Sequence, residues 1–129
     1  MDGYPLARGR YSTAGDGGWT FFKTPNGWGC GIGPNGVVGC DTVPGGAPTP
    51  DNTFPGAPSG TSQTVASSSE PGRYVHSDTP TFTRDVDTLP PGRRLENRGA
   101  ACGVGYQGTV GCETGEHGFT VTGLYGSLH

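Results

Sequence analysis

The sequence predicts a small all-β protein, an antiparallel sheet or sandwich built from two disulfide-stapled hairpins with long irregular loops. Three observations carry this. An eleven-residue stretch occurs twice, CGIGPNGVVGC at 30–40 and CGVGYQGTVGC at 102–112, with seven positions identical and all four cysteines at its ends. Runs of aromatic and β-branched residues are separated by two identical Pro-Asn-Gly turns. No helical periodicity survives the 26 glycines.

A chain of 129 residues makes one domain. Leu, Ile, Val and Phe together number 20, against 38 Gly and Pro, a composition that alone suggests disorder. The net charge of only −3 and the clustering of apolar residues argue instead for a thin folded core carrying loops. Such a core needs covalent support. The expected organisation is an irregular leader over 1–17 and a single β domain over 18–129, with a Pro/Gly/Ser-rich loop excursion at 44–72.

No stretch approaches the roughly 18 to 20 apolar residues of a membrane span. The opening MDGYPLARGR has no apolar signal-peptide region. An even number of cysteines in a small, Gly-rich chain nevertheless points to an oxidising compartment. We therefore expect a secreted, periplasmic or cell-envelope protein whose signal peptide or lipid anchor lies outside this sequence. The rival is a cytosolic protein with free thiols. Arg93, Arg94 and Arg98 form a basic cluster, but Glu96 sits among them, so a solvated loop is the expectation and nucleic acid is not an expected partner.

Three runs, WTFFKT, WGCGIG and VVGCDTV, joined by Pro25-Asn26-Gly27 and Pro34-Asn35-Gly36, read as a three-stranded meander. Short strands are expected around Tyr74–Val75 and Thr81–Val86, LPPGRRLENRG is expected as a loop, and GFTVTGLYG is an alternating strand candidate. The strand before the first hairpin and the strand after the second give the two copies different flanking orders.

Loop geometry sets the register of the doubled motif. If Pro34-Asn35-Gly36 is a three-residue loop, Gly33 faces Val37 as a hydrogen-bonded pair. Alternation then makes Cys30 and Cys40 a non-hydrogen-bonded pair about 4.5 Å apart, within reach of a disulfide. The loop Tyr106-Gln107-Gly108 places Cys102 opposite Cys112 in the same way. The expected bonds are Cys30–Cys40 and Cys102–Cys112. Zinc is the competing reading, but its ligands usually arrive as C-x2-C or C-x4-C knuckles. A redox role lacks both a C-x-x-C pair and a helix N-terminus to depress a thiol pKa. No metal and no cofactor are expected.

Cys30, Ile32, Val38 and Cys40 share one face of the hairpin, and Gly31, Gly33 and Gly39 the other, as do Gly103, Gly105 and Gly111 in the second copy. A glycine face can be a platform for a ligand or be covered by aromatic rings. The first turn's register pairs Phe21 with Gly31 and Trp19 with Gly33, which favours the cover. Phe22 and Trp28 fall on the cysteine face, as core residues.

Chemistry-bearing clusters are sparse. His76-Ser77-Asp78 has the letters of a triad, but sequence neighbours rarely meet triad geometry, and a turn explains them better. Asp85 and Asp87 would share one face of a strand and could contribute to a calcium or general acid/base site, but without further oxygen ligands at defined spacing a solvated loop explains them better. His117 is expected in a loop. No catalytic residues are assigned.

Two segments carry a resemblance: Phe22-Lys23-Thr24-Pro25-Asn26-Gly27-Trp28-Gly29-Cys30 leading to Cys40, and Cys102 to Cys112 followed by Glu116-His117-Gly118-Phe119. They resemble the F-x-[ST]-P-x-G-x-x-C opening and the C…C…GHGF closing segment of a family of small secreted actinobacterial proteins, mycobacterial ones among them, of uncharacterised function. Glu116 departs from the small residue usual before His-Gly-Phe. The resemblance implies export to the envelope or beyond, and brings no catalytic residues.

The expected function is a non-catalytic exported module that binds or supports an unknown envelope or secreted protein. The alternatives are a small-ligand carrier for lipid or glycan, suggested by the glycine faces, and a small hydrolase, which needs His76 or His117 near a serine and a carboxylate.

Overall fold

The computed structural model describes residues 4–12, 17–42, 61–77, 81–106, 108–122 and 126–129. It is an all-β sandwich of two five-stranded antiparallel meanders. The first runs β1 (Thr20–Lys23), β2 (Gly29–Ile32), β3 (Val38–Cys40), β4 (Thr61–Ser67) and β5 (Glu70–Ser77). The second runs β6 (Arg93–Asn97), β7 (Ala100–Val104), β8 (Val110–Thr114), β9 (His117–Val121) and β10 (Gly126–Leu128). Each strand of the first sheet meets its counterpart in the second: β1 with β6, β2 with β7, β3 with β8, β4 with β9, β5 with β10.

The turns behave as their residues require. Gly33 N–H donates to the Val37 carbonyl at 2.7 Å, and Gly36 takes φ +85° to close the loop. Gly105 N–H donates to the Thr109 carbonyl at 2.7 Å in the second copy. The register that follows is Cys30↔Cys40 and Cys102↔Cys112. Both disulfides form, with Cα separations of 4.0 and 4.1 Å. Every cysteine is thereby in a disulfide, and none is left as a free thiol.

The core lies between the sheets. Phe22, Ile32, Val38, Leu89, Leu95, Val104, Val110, Phe119 and Val121 pack around the two disulfides, with Tyr11 and Ala66. Trp28 is half-buried against this cluster. On β4, Thr64 and Ala66 are buried small residues, and β9, which faces that strand, contributes the buried Phe119.

Several sequence expectations are corrected. The excursion over 44–72 ends by Thr61, where β4 begins (residues 43–60 lie outside the described residues). TSQTVAS offers only Val65 and Ala66 as apolar residues, but hydrogen bonds satisfy its buried polar groups: Thr64 Oγ1 donates to the Thr42 carbonyl at 2.8 Å and Gln63 Nε2 to Asp41 Oδ1 at 2.8 Å. RRLEN, expected in a loop, is β6, with Leu95 as its core residue. Residues 81–86, expected as a strand, form turns that bury Phe82 and Val86. His117, expected in a loop, opens β9, paired with Thr114. The two copies also share one flanking order, because β6 and β4 supply the strands that sequence reading missed.

Nor is the leader irregular throughout. Leu6 bridges Arg94 in parallel, covering the β6 edge, and Tyr11 is buried in the core. Thr88 bridges Lys23 in parallel, covering the β1 edge. The segment before β1 therefore lies on the second sheet, and the segment before β6 lies on the first. This reciprocal exchange caps an exposed edge of each sheet. Among the described residues, no helix is long and apolar enough to cross a membrane.

Candidate functional site

The two glycine faces have the same sequence origin and different surroundings. On the first sheet Phe21 pairs with Gly31, as the turn register predicts. A Cβ at Gly31 would lie 2.9 Å from the Phe21 ring, and one at Gly33 would lie 2.8 Å from the Trp19 ring. Trp19 stacks on Phe21 with ring centroids 5.6 Å apart. Phe82, from the segment between the sheets, reaches over Gly31 and Gly39. Arg84 closes the layer, its guanidinium 4.5 Å from the Phe21 centroid. The aromatic cover is therefore real on this sheet, and it removes the platform there.

Asp41 holds that layer in place. Its Oδ2 accepts from Phe82 N–H at 2.8 Å and from Thr83 Oγ1 at 2.7 Å, while Oδ1 takes the Gln63 amide. Sequence reading missed Asp41 and Phe82, because their relation spans 41 residues and has no local pattern.

On the second sheet Gly103 pairs with Arg94 and Gly111 with Thr120. These positions line a cavity of about 220 Å3, bordered by Arg94, Ala101, Cys102, Gly103, Gly111, Glu113 and Thr120. Four consecutive strands, β6 to β9, contribute to it. Arg94 is engaged internally: its Nε donates to the Tyr4 carbonyl at 2.6 Å and its Nη1 pairs with Glu96. Glu113 is exposed, and its carboxylate has no hydrogen-bond or ion-pair partner among the described residues. The cleft thus has a flat glycine floor, a guanidinium fixed on one wall and an unneutralised carboxylate on the other.

The remaining candidates do not assemble into a reactive site. Asp85 ion-pairs with Arg10 at 3.7 Å, and Asp87 Oδ2 accepts from Arg10 N–H at 2.7 Å. Both carboxylates thus serve to tie the leader to the inter-sheet segment. His117 is half-buried, with no hydrogen-bond partner for its ring among the described residues. The backbones of His76 and Ser77 belong to β5, but their side chains and Asp78 lie outside the described residues. Arg93 and Arg94 sit on β6, and Arg98 at the following turn with φ +49°. Among the described residues no three of His, Cys, Asp and Glu converge as metal ligands. Comparison with protein-family models, with curated proteins and with solved structures finds no match to this chain.

Proposed function

We propose that this chain is a non-catalytic module of the cell envelope or extracellular space that engages a partner protein through the outer face of its second sheet. The carrying observation is the difference between the duplicated glycine faces. One is occupied by Trp19, Phe21 and Phe82, whereas the other borders a cleft between Arg94, Glu113 and Thr120. A cavity of about 220 Å3 is smaller than the roughly 300–1,000 Å3 of small-molecule pockets, which favours a partner's side chain over a carried lipid or glycan. The carboxylate of Glu113 suits a lysine or arginine on that partner. Two disulfides suit an oxidising compartment, and the resemblance to small secreted actinobacterial proteins supports the same location.

The test is affinity capture from envelope extracts with the native chain and with Thr120→Trp and Glu113→Lys. A protein enriched by the native chain and lost with both variants supports the reading. Enrichment that is indifferent to both variants overturns it.

A further inference from the structure

A second cavity borders the start of β6, on the rim of the sandwich. It has a volume of about 340 Å3 and is lined by Leu6, Ala7, Arg8, Pro90 and Arg93. Two distant segments build it. The parallel bridge between Leu6 and Arg94 brings residues 6–8 alongside β6. The turn before β6 brings Pro90 and Arg93, with Arg93 N–H donating to the Pro90 carbonyl at 3.3 Å and Gly92 at φ +81°.

The arginines of this chain divide into two groups. Arg10 pairs with Asp85, Arg73 with Glu70, and Arg94 with Glu96. Arg84 donates to the carbonyls of Thr81 and Thr83 and lies over Phe21. Arg98 is exposed with no hydrogen-bond or ion-pair partner among the described residues and does not line this cavity; Arg8 and Arg93 are likewise exposed and without such a partner. Both line the same cavity, in a protein whose net charge is −3. Two like charges facing one cavity repel each other, and an anion between them converts that repulsion into attraction. The same cavity carries an exposed apolar side chain, Leu6, 51% accessible, beside Pro90. Tyr106, 79% accessible, stands at the same rim with its hydroxyl over Gly92.

We propose that this rim cavity binds a phosphate-bearing ligand, with the phosphate held between Arg8 and Arg93 and the attached carbon chain against Leu6 and Pro90. A single guanidinium fork satisfies the two oxygens of a carboxylate, whereas two forks match the larger set of oxygens and the higher charge of a phosphate. The phosphate can belong to a soluble phosphate ester or to the headgroup of an anionic lipid, and the experiment separates the two. This site is distinct from the cleft over Gly103 and Gly111, so each can fail without the other.

The test uses isothermal titration with inorganic phosphate and glycerol 3-phosphate, and co-sedimentation with phosphatidylglycerol vesicles against pure phosphatidylcholine vesicles. Arg8→Gln/Arg93→Gln is the test variant, and Arg98→Gln removes a cation elsewhere as the control. The unpaired side chains make both variants compatible with folding, which thermal unfolding verifies. The expected result is phosphate binding weakened at least about tenfold in the double variant and unchanged in the control. Sedimentation with phosphatidylglycerol, reduced by Leu6→Ser, assigns the phosphate to a lipid headgroup. Soluble binding without sedimentation assigns it to a phosphate ester. The proposal is overturned if no phosphate probe binds, if the double variant binds as the native chain does, or if Arg98→Gln weakens binding equally.

Discussion

Asp41 accepts a 2.8 Å hydrogen bond from the backbone N–H of Phe82, joining the end of β3 to the segment that connects the two sheets. Through it, a carboxylate at the end of one hairpin strand determines where an aromatic ring lies on the outer face of that hairpin. Replacing Asp41 with Ala strands the Phe82 amide, the Thr83 hydroxyl and the Gln63 amide together. We expect Asp41→Ala to cost about 1–3 kcal/mol in chemical denaturation. Trp19 fluorescence should change as well, because Phe82 packs 6.1 Å from the Trp19 ring. A native-like emission spectrum with unchanged stability would contradict this account.

Each disulfide closes a short hairpin. Removing either as a paired Cys→Ala substitution should destabilise the fold by about 2–3 kcal/mol, since the unfolded chain regains the closed-loop entropy. Non-reducing peptide mapping should return Cys30–Cys40 and Cys102–Cys112. A Cys30–Cys102 linkage is incompatible with the hairpin register.

Asn97 braces the two sheets against each other. Its Nδ2 donates to the carbonyls of Gly18 at 2.7 Å and Ile32 at 2.9 Å. Asn97→Asp replaces these donors with acceptors that face carbonyl oxygens, so it should destabilise more than Asn97→Ala. The alanine variant should cost about 1–2 kcal/mol, and the aspartate variant should recover part of its excess loss at acidic pH as it protonates. Equal unfolding midpoints for the two variants at neutral pH would remove the donor role.

The Gly31 floor is filled by Phe21 and Phe82 rings, at 2.9 and 3.1 Å from where a Cβ would stand. Gly31→Ala should therefore cost about 1–3 kcal/mol by overpacking, measured by denaturant titration. A neutral Gly31→Ala would mean that the aromatic layer yields freely.

Burial, reinforced by the Asp87 carboxylate, raises the Tyr11 phenol above its ordinary pKa, and burial raises Tyr74 as well. A raised phenol means that the unfolded chain releases its proton first. The associated stability is complete below the unfolded value of about 10 and is lost as pH climbs through the higher folded values. Unfolding free energy should fall in that alkaline window, and Tyr11→Phe should flatten the fall while leaving the Tyr74 part. An undiminished slope in Tyr11→Phe would place the alkaline loss elsewhere.

The hairpins and their bonds were legible from a few adjacent residues. Pro34-Asn35-Gly36 sets a loop length, the loop sets the closing pair at Gly33 and Val37, and alternation carries that register to Cys30 and Cys40. Phe21 over Gly31 followed from the same reasoning one strand further on. The strands β4 and β6 were not legible. Thr64 and Gln63 are buried through bonds to Thr42 and Asp41, and β6 offers a single core residue, Leu95, amid charge. The Arg94–Glu113 cleft was half legible: the glycines were visible, but not the strands that supply its walls.

Local chemistry by itself determined the all-β class, the two stapled hairpins and the aromatic cover of the first glycine face, because turn geometry and side-chain alternation act between near neighbours. Tertiary structure alone decided that two meanders stack strand on strand, that each covers an edge with the other's leading segment, and that Arg8 meets Arg93 at one rim. Those outcomes depend on contacts between residues far apart in the chain, where a polar residue becomes buried or a charge becomes paired only once its distant partner arrives.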